Sequence, residues 1–266
     1  MEAIETGQLS SSAAEVYEEF FVPALFGEWA PRLCDAAKVV EGERVLDVAC
    51  GTGSFAREGA RRGGADARVA GLDRNAGMLA VARRLAPDVD WREGLAEELP
   101  FGDGSFDVVA SQFGLMFFED RVKALAEMGR VLRPGGRLTV AVWDSLERTP
   151  GYQAMVGLLQ RLFGEEIAGA LRAPFVLGDP RELHRLFAAA GLPDPRIDTP
   201  VGAACFPSIA DWVRTDVKGW TLANAIDDAQ YAQLQQEAQR ELRRFATADG
   251  AVRFDAPAHI ATAVKG

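Results

Sequence analysis

The sequence predicts an α/β protein built on a mainly parallel sheet. Between residues 43 and 143, short apolar, β-branched runs alternate with helix-like segments. This alternation is typical of a parallel sheet with helices on both faces. A glycine-rich turn follows the first apolar run, as expected where a strand leads into a ligand-binding helix. Beyond residue 144 the pattern becomes mainly helical until a final apolar run.

The predicted strands are short runs rich in Val, Leu and aromatic residues. The turn Gly102-Asp103-Gly104 opens one of them, and Arg133-Pro134-Gly135-Gly136 precedes the next. In chain order we predict strands at Arg44–Ala49, Arg68–Leu72, Val89–Arg92, Ser105–Phe113, Arg137–Trp143, Arg196–Phe206 and Pro257–Val264.

The predicted helices carry apolar residues at three- and four-residue spacing. Two aromatic helices are expected before residue 40. The others are expected at Ser54–Arg62, Asn75–Leu85, Arg121–Leu132, Tyr152–Phe163, Pro180–Ala190, Ile209–Trp220 and Asp228–Ala246. The last of them has one apolar stripe. Its residues recur at spacings of 3, 4, 4 and 3 and are Tyr231, Leu234, Ala238, Leu242 and Phe245.

Composition limits the classes of function. The 266 residues carry a formal net charge of −10, so we expect neither a nucleic-acid partner nor an anionic membrane surface. No run approaches the roughly 18 apolar residues of a membrane span. The acidic N-terminus lacks a signal-peptide pattern, which predicts a cytoplasmic protein. With three cysteines, no CxxC and two histidines, neither a disulfide framework nor a metal site is expected.

The glycine-rich turn carries the strongest chemical signal. The strand from Val45 runs into Cys50-Gly51-Thr52-Gly53, where glycines allow a sharp turn and close approach to a ligand. The N–H groups of the following helix can receive the ligand's anionic end. Asp73 ends the next strand, 20 residues after Gly53, where a carboxylate can accept hydrogen bonds from both hydroxyls of a ribose.

Two cofactors fit this pattern. Gly51, Gly53 and Ala56 match the G-x-G-x-x-G/A dinucleotide fingerprint, with Asp73 as its acid. Asp47, four residues before Gly51, is unfavourable beside a pyrophosphate and favourable beside an ammonium. S-adenosylmethionine has an α-ammonium and a sulfonium and no phosphate. An NAD-dependent oxidoreductase would also need an acid such as a Tyr-x-x-x-Lys pair, which does not occur in the sequence.

Four segments in order resemble the class I S-adenosylmethionine-dependent methyltransferases, and in particular relatives of the ubiquinone/menaquinone C-methyltransferase. VLDVACGTG (residues 45–53) is similar to the family's motif I, and AGLDRNAGML (70–79) to the strand and helix after it. GLAEELPFGDGSFDVV (94–109) resembles a segment found in relatives of the ubiquinone/menaquinone C-methyltransferase. EMGRVLRPGGRL (127–138) matches the family's helix-turn-strand before the fifth strand. Together the four cover about residues 40–143.

The resemblance implies a Rossmann-like fold with a seven-stranded sheet in the order 3-2-1-4-5-7-6 and an antiparallel last strand. It implies a methyltransferase domain at 41–266, with a helical insertion at about 207–247 between the last two strands. Residues 1–40 would form a helical cap. Cap and insertion together would cover the cofactor and form the substrate chamber.

The resemblance also assigns roles to single residues. Gly51, Thr52 and Gly53 would wrap the methionine moiety, together with Ala49 in the same loop. Asp47 would lie near the ammonium, Asp73 would hold the ribose hydroxyls, and Gln112 would contact the methionine portion. The adenosine would lie along Arg74, Met78, Gly94, Leu95 and Ala96. Many relatives have Asp or Asn at the position of Leu95, so the side-chain acceptor for the adenine amino group is missing here.

Methyl transfer by in-line displacement needs mainly positioning, and some acceptors also need a general base. Asp144, after the fifth strand, and His184 are the candidate bases, and we expect His259 to be a packed histidine. Aromatic side chains predict a chamber for a small, apolar or aromatic molecule, lined by Tyr17, Phe21, Phe113, Met116 and Trp143. A non-catalytic module that binds the cofactor is the alternative.

Overall fold

The computed structural model of the chain describes residues 11–218, 222 and 225–266. Eight strands make up its sheet. They are β1 (Arg44–Val48), β2 (Arg68–Asp73), β3 (Asp90–Glu93), β4 (Phe106–Gln112), β5 (Leu132–Trp143), β6 (Arg196–Asp198), β7 (Val201–Phe206) and β8 (Val252–Val264).

The order of the sheet is β3-β2-β1-β4-β5-β8-β6, with β7 also paired to β8. Strands β1 to β5 are parallel to one another, and β8 is antiparallel to β5, β6 and β7. The predicted order and the antiparallel last strand are therefore confirmed. The last strand also begins five residues earlier than predicted, at Val252.

The predicted sixth strand is in fact two strands, β6 and β7. Thr199 and Pro200 separate them, and Pro200 has no N–H to donate to the ladder. The register continues across the break, because Asp198 pairs with Ile260 and Val201 with Pro257. The interruption is therefore local, and it raises the number of strands from seven to eight.

Helices cover both faces of the sheet. After α1 (Ser11–Val16) and a π-helix (Tyr17–Phe26), the chain forms α2 (Trp29–Ala37), α3 (Ser54–Gly63), α4 (Ala76–Leu85) and α5 (Arg121–Val131). The second half contributes α6 (Pro150–Phe163), α7 (Glu165–Arg172), α8 (Pro180–Ala189), α9 (Ile209–Lys218) and α10 (Asp228–Glu241). Helix α7 was not predicted. The predicted end of α9 at Trp220 lies outside the described residues. No helix within the described residues has the length and apolar character of a membrane span.

Strands β7 and β8 form a ribbon that extends past the end of β5. Trp143, the last residue of β5, pairs with Ala258, and β7 is the strand with which residues 252–257 of β8 pair. Helix α2 is fastened to this ribbon, because the Glu28 carboxylate accepts the Ala203 N–H at 2.6 Å. The Trp29 indole lies against Gly202, where a Cβ would come within 2.4 Å of the ring. The ribbon thus holds the N-terminal segment over the carboxyl edge of the sheet.

The insertion packs as core. Trp212 of α9 is fully buried, with ring centroids 4.8 Å from Phe254 and 5.7 Å from Phe206. In the predicted stripe of α10, Leu234 and Ala238 are fully buried. The apolar stripe therefore reflects packing against the domain.

A buried carboxyl group, Asp216, lies where α9 packs on α6. It is 1% exposed, and the Tyr152 hydroxyl donates to its Oδ1 at 3.2 Å. Burial raises the pKa of Asp216 to about 8, although the hydrogen bond from Tyr152 opposes the rise. The protonated carboxyl is thus the form that the folded protein favours at neutral pH.

This pKa predicts a pH dependence of stability. A carboxyl group whose pKa is higher in the folded than in the unfolded protein adds to the free energy of unfolding at low pH. That contribution is complete below the unfolded-state pKa, near 3.8, and is lost as pH rises through about 8. The free energy of unfolding of wild type should therefore fall between pH 5 and 8.5, and Asp216→Asn should reduce that fall. Urea unfolding at each pH measures both slopes. Identical slopes in the two proteins would contradict the prediction.

Candidate functional site

A cavity of about 450 Å³ opens at the carboxyl edge of the sheet, where β1, β2, β4 and β5 end. Ligands of open α/β sheets bind at this edge. Every residue predicted to contact the cofactor lines it except Gly53. Around β1 and β2 these residues are Asp47, Ala49, Gly51, Thr52, Asp73 and Arg74. Further along the chain they are Met78, Gly94, Leu95, Ala96 and Gln112.

The two loop glycines have different roles. Gly51 has a φ of +54° and lines the cavity. Gly53 has a φ of +86°, and a Cβ there would come within 2.3 Å of the Trp91 ring. Only glycine meets both conditions without strain. Gly53 therefore shapes the turn and lets Trp91 pack beneath it, and it does not itself line the cavity. Its predicted contact with the methionine moiety stays a prediction.

Asp73 joins the glycine loop to the end of β2. Its Oδ2 accepts the Gly51 N–H at 2.8 Å, and its Oδ1 accepts the Asn75 N–H at 2.8 Å. Burial raises its pKa, and these backbone donors oppose the rise. A carboxylate has about four acceptor positions, so Asp73 can hold the loop and still accept hydrogen bonds from a ligand's hydroxyls.

Asp47 offers a buried acceptor to the cavity. It is 1% exposed, and its Oδ2 accepts the Ala56 N–H at 3.0 Å. Burial raises its pKa to about 8, and the charge of Asp73 adds to the rise. Within the part of the chain that the structure describes, Asp47 Oδ1, Thr52 Oγ1 and Gln112 Oε1 are buried without a hydrogen-bond partner. A cationic group with several N–H donors, such as an α-ammonium, matches these oxygens.

The other end of the cavity is rimmed by the segments after β3 and β4. Leu95 is 49% exposed, and the Gly94 N–H donates to the Asp73 carbonyl at 3.1 Å. Arg74 pairs with Glu119 at 3.6 Å, and the Glu97 carboxylate accepts the Glu119 N–H at 3.1 Å. These contacts form a polar rim around a mainly apolar slot.

Aromatic rings close the cavity at the ends of β4 and β5. Phe113 stacks on Trp143 with 3.9 Å between ring centroids, and Phe26 lies 5.5 Å from Phe113. Tyr17 stacks on Phe26 at 5.3 Å. Phe113 has a φ of +58°, which costs a bulky residue about 1–3 kcal/mol and is most frequent at functional sites.

The predicted chamber residues divide into two groups. Tyr17, Phe113 and Trp143 line the cavity. Phe21 and Met116 are buried, at 0% and 3% exposure, and do not line it. The residues that line it without having been assigned are mainly aromatic or charged, among them Phe26, Phe117, Phe118, Glu97, Asp120 and Lys123. The only signal for the aromatic ones was the clustering of Phe around residues 20 and 117.

Neither candidate base lies at the cavity. Asp144 is 3% exposed, accepts the Ser145 N–H at 2.6 Å and pairs with Arg148 at 3.0 Å. His184 lies on the exposed side of α8, with its Nδ1 2.6 Å from Asp194. Neither lines the cavity.

His259 is a packed histidine, as expected. It is 3% exposed, its Nε2 donates to the Gly178 carbonyl at 3.0 Å, and its Nδ1 lies 2.8 Å from the Thr199 hydroxyl. Its side chain therefore has a structural role where the β6–β7 break meets β8. Among the described residues, no group of His, Cys, Asp and Glu could hold a metal ion.

The insertion was expected to form part of the chamber, but none of its described residues lines the cavity. It contacts the N-terminal segment instead, where the Arg214 guanidinium lies 4.3 Å from the centre of the Phe20 ring. The walls and roof near the aromatic end come from the π-helix and the strand ends.

Comparisons with known proteins agree with this geometry. A family described as "Methyltransferase domain" matches residues 46–140. Demethylmenaquinone methyltransferase of Staphylococcus aureus is 31% identical over 205 residues, which cover 72% of this chain and 85% of that protein. The same enzyme of Renibacterium salmoninarum is 48% identical over 113 residues, 42% of this chain and 46% of that protein. This chain thus spans about half the length of that relative.

Solved structures share the fold. An S-adenosylmethionine-dependent methyltransferase from Aquifex aeolicus superposes with a TM-score of 0.54 at 18% identity, covering 73% of this chain and 92% of that one. Phosphoethanolamine N-methyltransferase 2 of Haemonchus contortus, solved with S-adenosyl-L-methionine, gives a TM-score of 0.61 at 18% identity, covering 98% and 59%. At this identity the likeness concerns the fold.

Proposed function

The chain belongs to the class I S-adenosylmethionine-dependent methyltransferases, and we propose that it transfers a methyl group from S-adenosylmethionine to a small, largely apolar molecule. The resemblance of the four sequence segments to this family is thereby confirmed. The acceptor class and the residue roles below are part of the proposal. A cytoplasmic location and the absence of a nucleic-acid partner stay predictions from the sequence.

The observation that carries the proposal is a set of buried oxygens at the cavity that have no hydrogen-bond partner among the described residues. Asp47, Thr52 and Gln112 each contribute one, and all three residues line the cavity. In their ionised forms, Asp47 and Asp73 would repel a pyrophosphate and attract a cation. This charge distribution favours S-adenosylmethionine over a nicotinamide dinucleotide.

Each part of the cofactor has matching residues. Asp47, Thr52 and Gln112 would bind the methionine portion, Asp73 the ribose hydroxyls, and Met78 with Gly94, Leu95 and Ala96 the adenine. When bound, S-adenosylmethionine supplies a methyl group on a sulfonium that is already a good leaving group. The protein's part is then to position the acceptor and exclude water, which can lower a barrier by up to about 7–11 kcal/mol.

The aromatic end of the cavity supports an apolar acceptor. Aromatic residues line this end, among them Tyr17, Phe26, Phe113 and Trp143. Tyr17 is the titratable one of these four. Burial, together with the charges of Glu18, Asp73 and Asp47, raises the pKa of the Tyr17 hydroxyl. The hydroxyl thus stays protonated and can donate a hydrogen bond but cannot act as a base. We therefore propose an acceptor that already carries its nucleophilic electron pair.

Isothermal titration tests the cofactor, and a labelling experiment tests the reaction. S-adenosylhomocysteine should bind and NAD should not. A cell extract incubated with the protein and methyl-labelled S-adenosylmethionine should yield a labelled small molecule. Binding of NAD without S-adenosylhomocysteine would refute the cofactor, and binding without any labelled product would favour the non-catalytic module.

Leu95 provides a prediction of small effect. Leu95→Asp loses an apolar contact of about 1–2 kcal/mol and gains an acceptor for the adenine amino group worth about 0.5–1.5 kcal/mol. The two nearly cancel, so affinity for S-adenosylhomocysteine should change by less than about tenfold. Titration measures it, with Val40→Asp, a comparably exposed residue away from the cavity, as control. Loss of binding by a folded variant would make Leu95 a packing residue essential to the pocket.

A further inference from the structure

The roof of the cavity comes from one element. Tyr17 and Phe26, the first and last residues of the π-helix, both line the cavity. The first of them packs with Met78 and Val81 of α4, and Tyr17 and Phe26 stack on each other. A ligand between β1, β2 and this roof would therefore lie beneath the π-helix.

An ion pair connects this roof directly to the glycine loop. Glu18 Oε1 pairs with Arg57 Nη2 at 2.8 Å, and the two side chains are only 20% and 29% exposed. The same guanidinium donates from Nε to the carbonyl oxygen of Gly53 at 3.3 Å. One arginine on α3 thus contacts both the loop that would hold the cofactor and the helix that roofs it.

A second contact also runs from the cavity to the roof. The Gln112 amide donates to the Phe26 carbonyl at 3.3 Å, while its Oε1 is buried without a partner among the described residues. The two ends of the π-helix are therefore each held by a residue next to the cofactor site, Arg57 at Glu18 and Gln112 at Phe26.

We infer that Glu18 and Arg57 form a clasp that holds the π-helix closed over bound cofactor and so slows the release of the cofactor. This inference rests on the proposed function for the identity of the cofactor. Arg57 would be a positioning residue, since it does not line the cavity and would act through the loop and the roof.

A second ion pair on the same segment serves as a matched control. Glu15 of α1 pairs with Arg84 of α4 at 3.8 Å, and their side chains are 65% and 62% exposed. Exposed pairs at this distance contribute little. This pair also joins the N-terminal segment to the domain, but it contacts neither the loop nor the cavity.

The test measures the dissociation of S-adenosylhomocysteine by stopped-flow tryptophan fluorescence, since Trp143 lines the cavity. Glu18→Gln and Arg57→Met should each raise the dissociation rate by about five- to tenfold. The double variant should show the effect of one change, because both remove the same contact. Arg57→Lys keeps the charge but loses the forked geometry, so it should raise the dissociation rate less than Arg57→Met does. Glu15→Gln should change the rate by less than about twofold.

Equal rates in wild type and both clasp variants, or equal effects of Glu18→Gln and Glu15→Gln, would overturn the clasp. Thermal unfolding of every variant establishes that the domain stays folded. If wild type does not bind S-adenosylhomocysteine, the proposed function fails, and hydrogen exchange of residues 11–26 without ligand then decides the clasp. Faster exchange there in Glu18→Gln than in Glu15→Gln supports the contact, and unchanged exchange refutes it.

Discussion

Asp73→Ala is expected to weaken the binding of S-adenosylhomocysteine by about 10- to 150-fold. The change removes a charged acceptor for the ribose hydroxyls, worth roughly 1.5–3 kcal/mol. It also leaves the Gly51 and Asn75 N–H groups, which now donate to Asp73 at 2.8 Å, without this acceptor, which lowers the stability of the folded protein by about 1–3 kcal/mol for each buried group. The glycine loop would lose its tie to β2 at the same time as the ligand loses a contact.

Two further variants separate these effects. Asp73→Asn keeps one oxygen for a backbone N–H but places an amide opposite the other, so its affinity should lie between wild type and Asp73→Ala. His184→Ala, on the exposed side of α8 and paired with Asp194, should leave the affinity within about twofold. Titration measures all three proteins, and circular dichroism checks their fold. Equal losses in Asp73→Ala and His184→Ala would refute the role of Asp73.

The part of the site built from one local segment was predictable from sequence. Glycines after a strand, with an acid at the end of the next strand, require the same backbone path wherever they occur. Gly51, Asp47 and Asp73 therefore lie together as expected. The strand order followed from the family resemblance, since alternating strands and helices alone do not determine which strands are neighbours.

Long-range packing could not be derived in this way. No residue close to Gly53 in the sequence indicates that Trp91 of β3 packs beneath this loop glycine. Phe26 and Phe21 are both aromatic, but the winding of the π-helix decides that only the first lines the cavity. Asp144 follows a strand at the ligand-binding edge, yet its contacts with Ser145 and Arg148 keep it in its own turn.

The affinity for S-adenosylhomocysteine is expected to rise with pH because of Asp47. Burial raises the pKa of this carboxyl to about 8, so below that pH it is mostly protonated in the ligand-free protein. An α-ammonium favours the ionised form, so binding must expel the proton, which weakens the apparent affinity by about tenfold for each pH unit below 8. Titrations of wild type between pH 6 and 8 should show this slope.

Asp47→Asn provides the decisive comparison. The amide has nearly the shape of the protonated acid but cannot ionise, so its affinity should be low and nearly independent of pH over the same range. At pH 8, where the wild-type carboxylate is available, the difference between the two proteins should be largest, and at pH 6 smallest. Wild-type binding should also release a proton, which titration in buffers of different ionisation enthalpy detects. A pH slope that persists in Asp47→Asn would assign the proton to another group, with Asp73, 9% exposed and also of raised pKa, as the next carboxyl to replace.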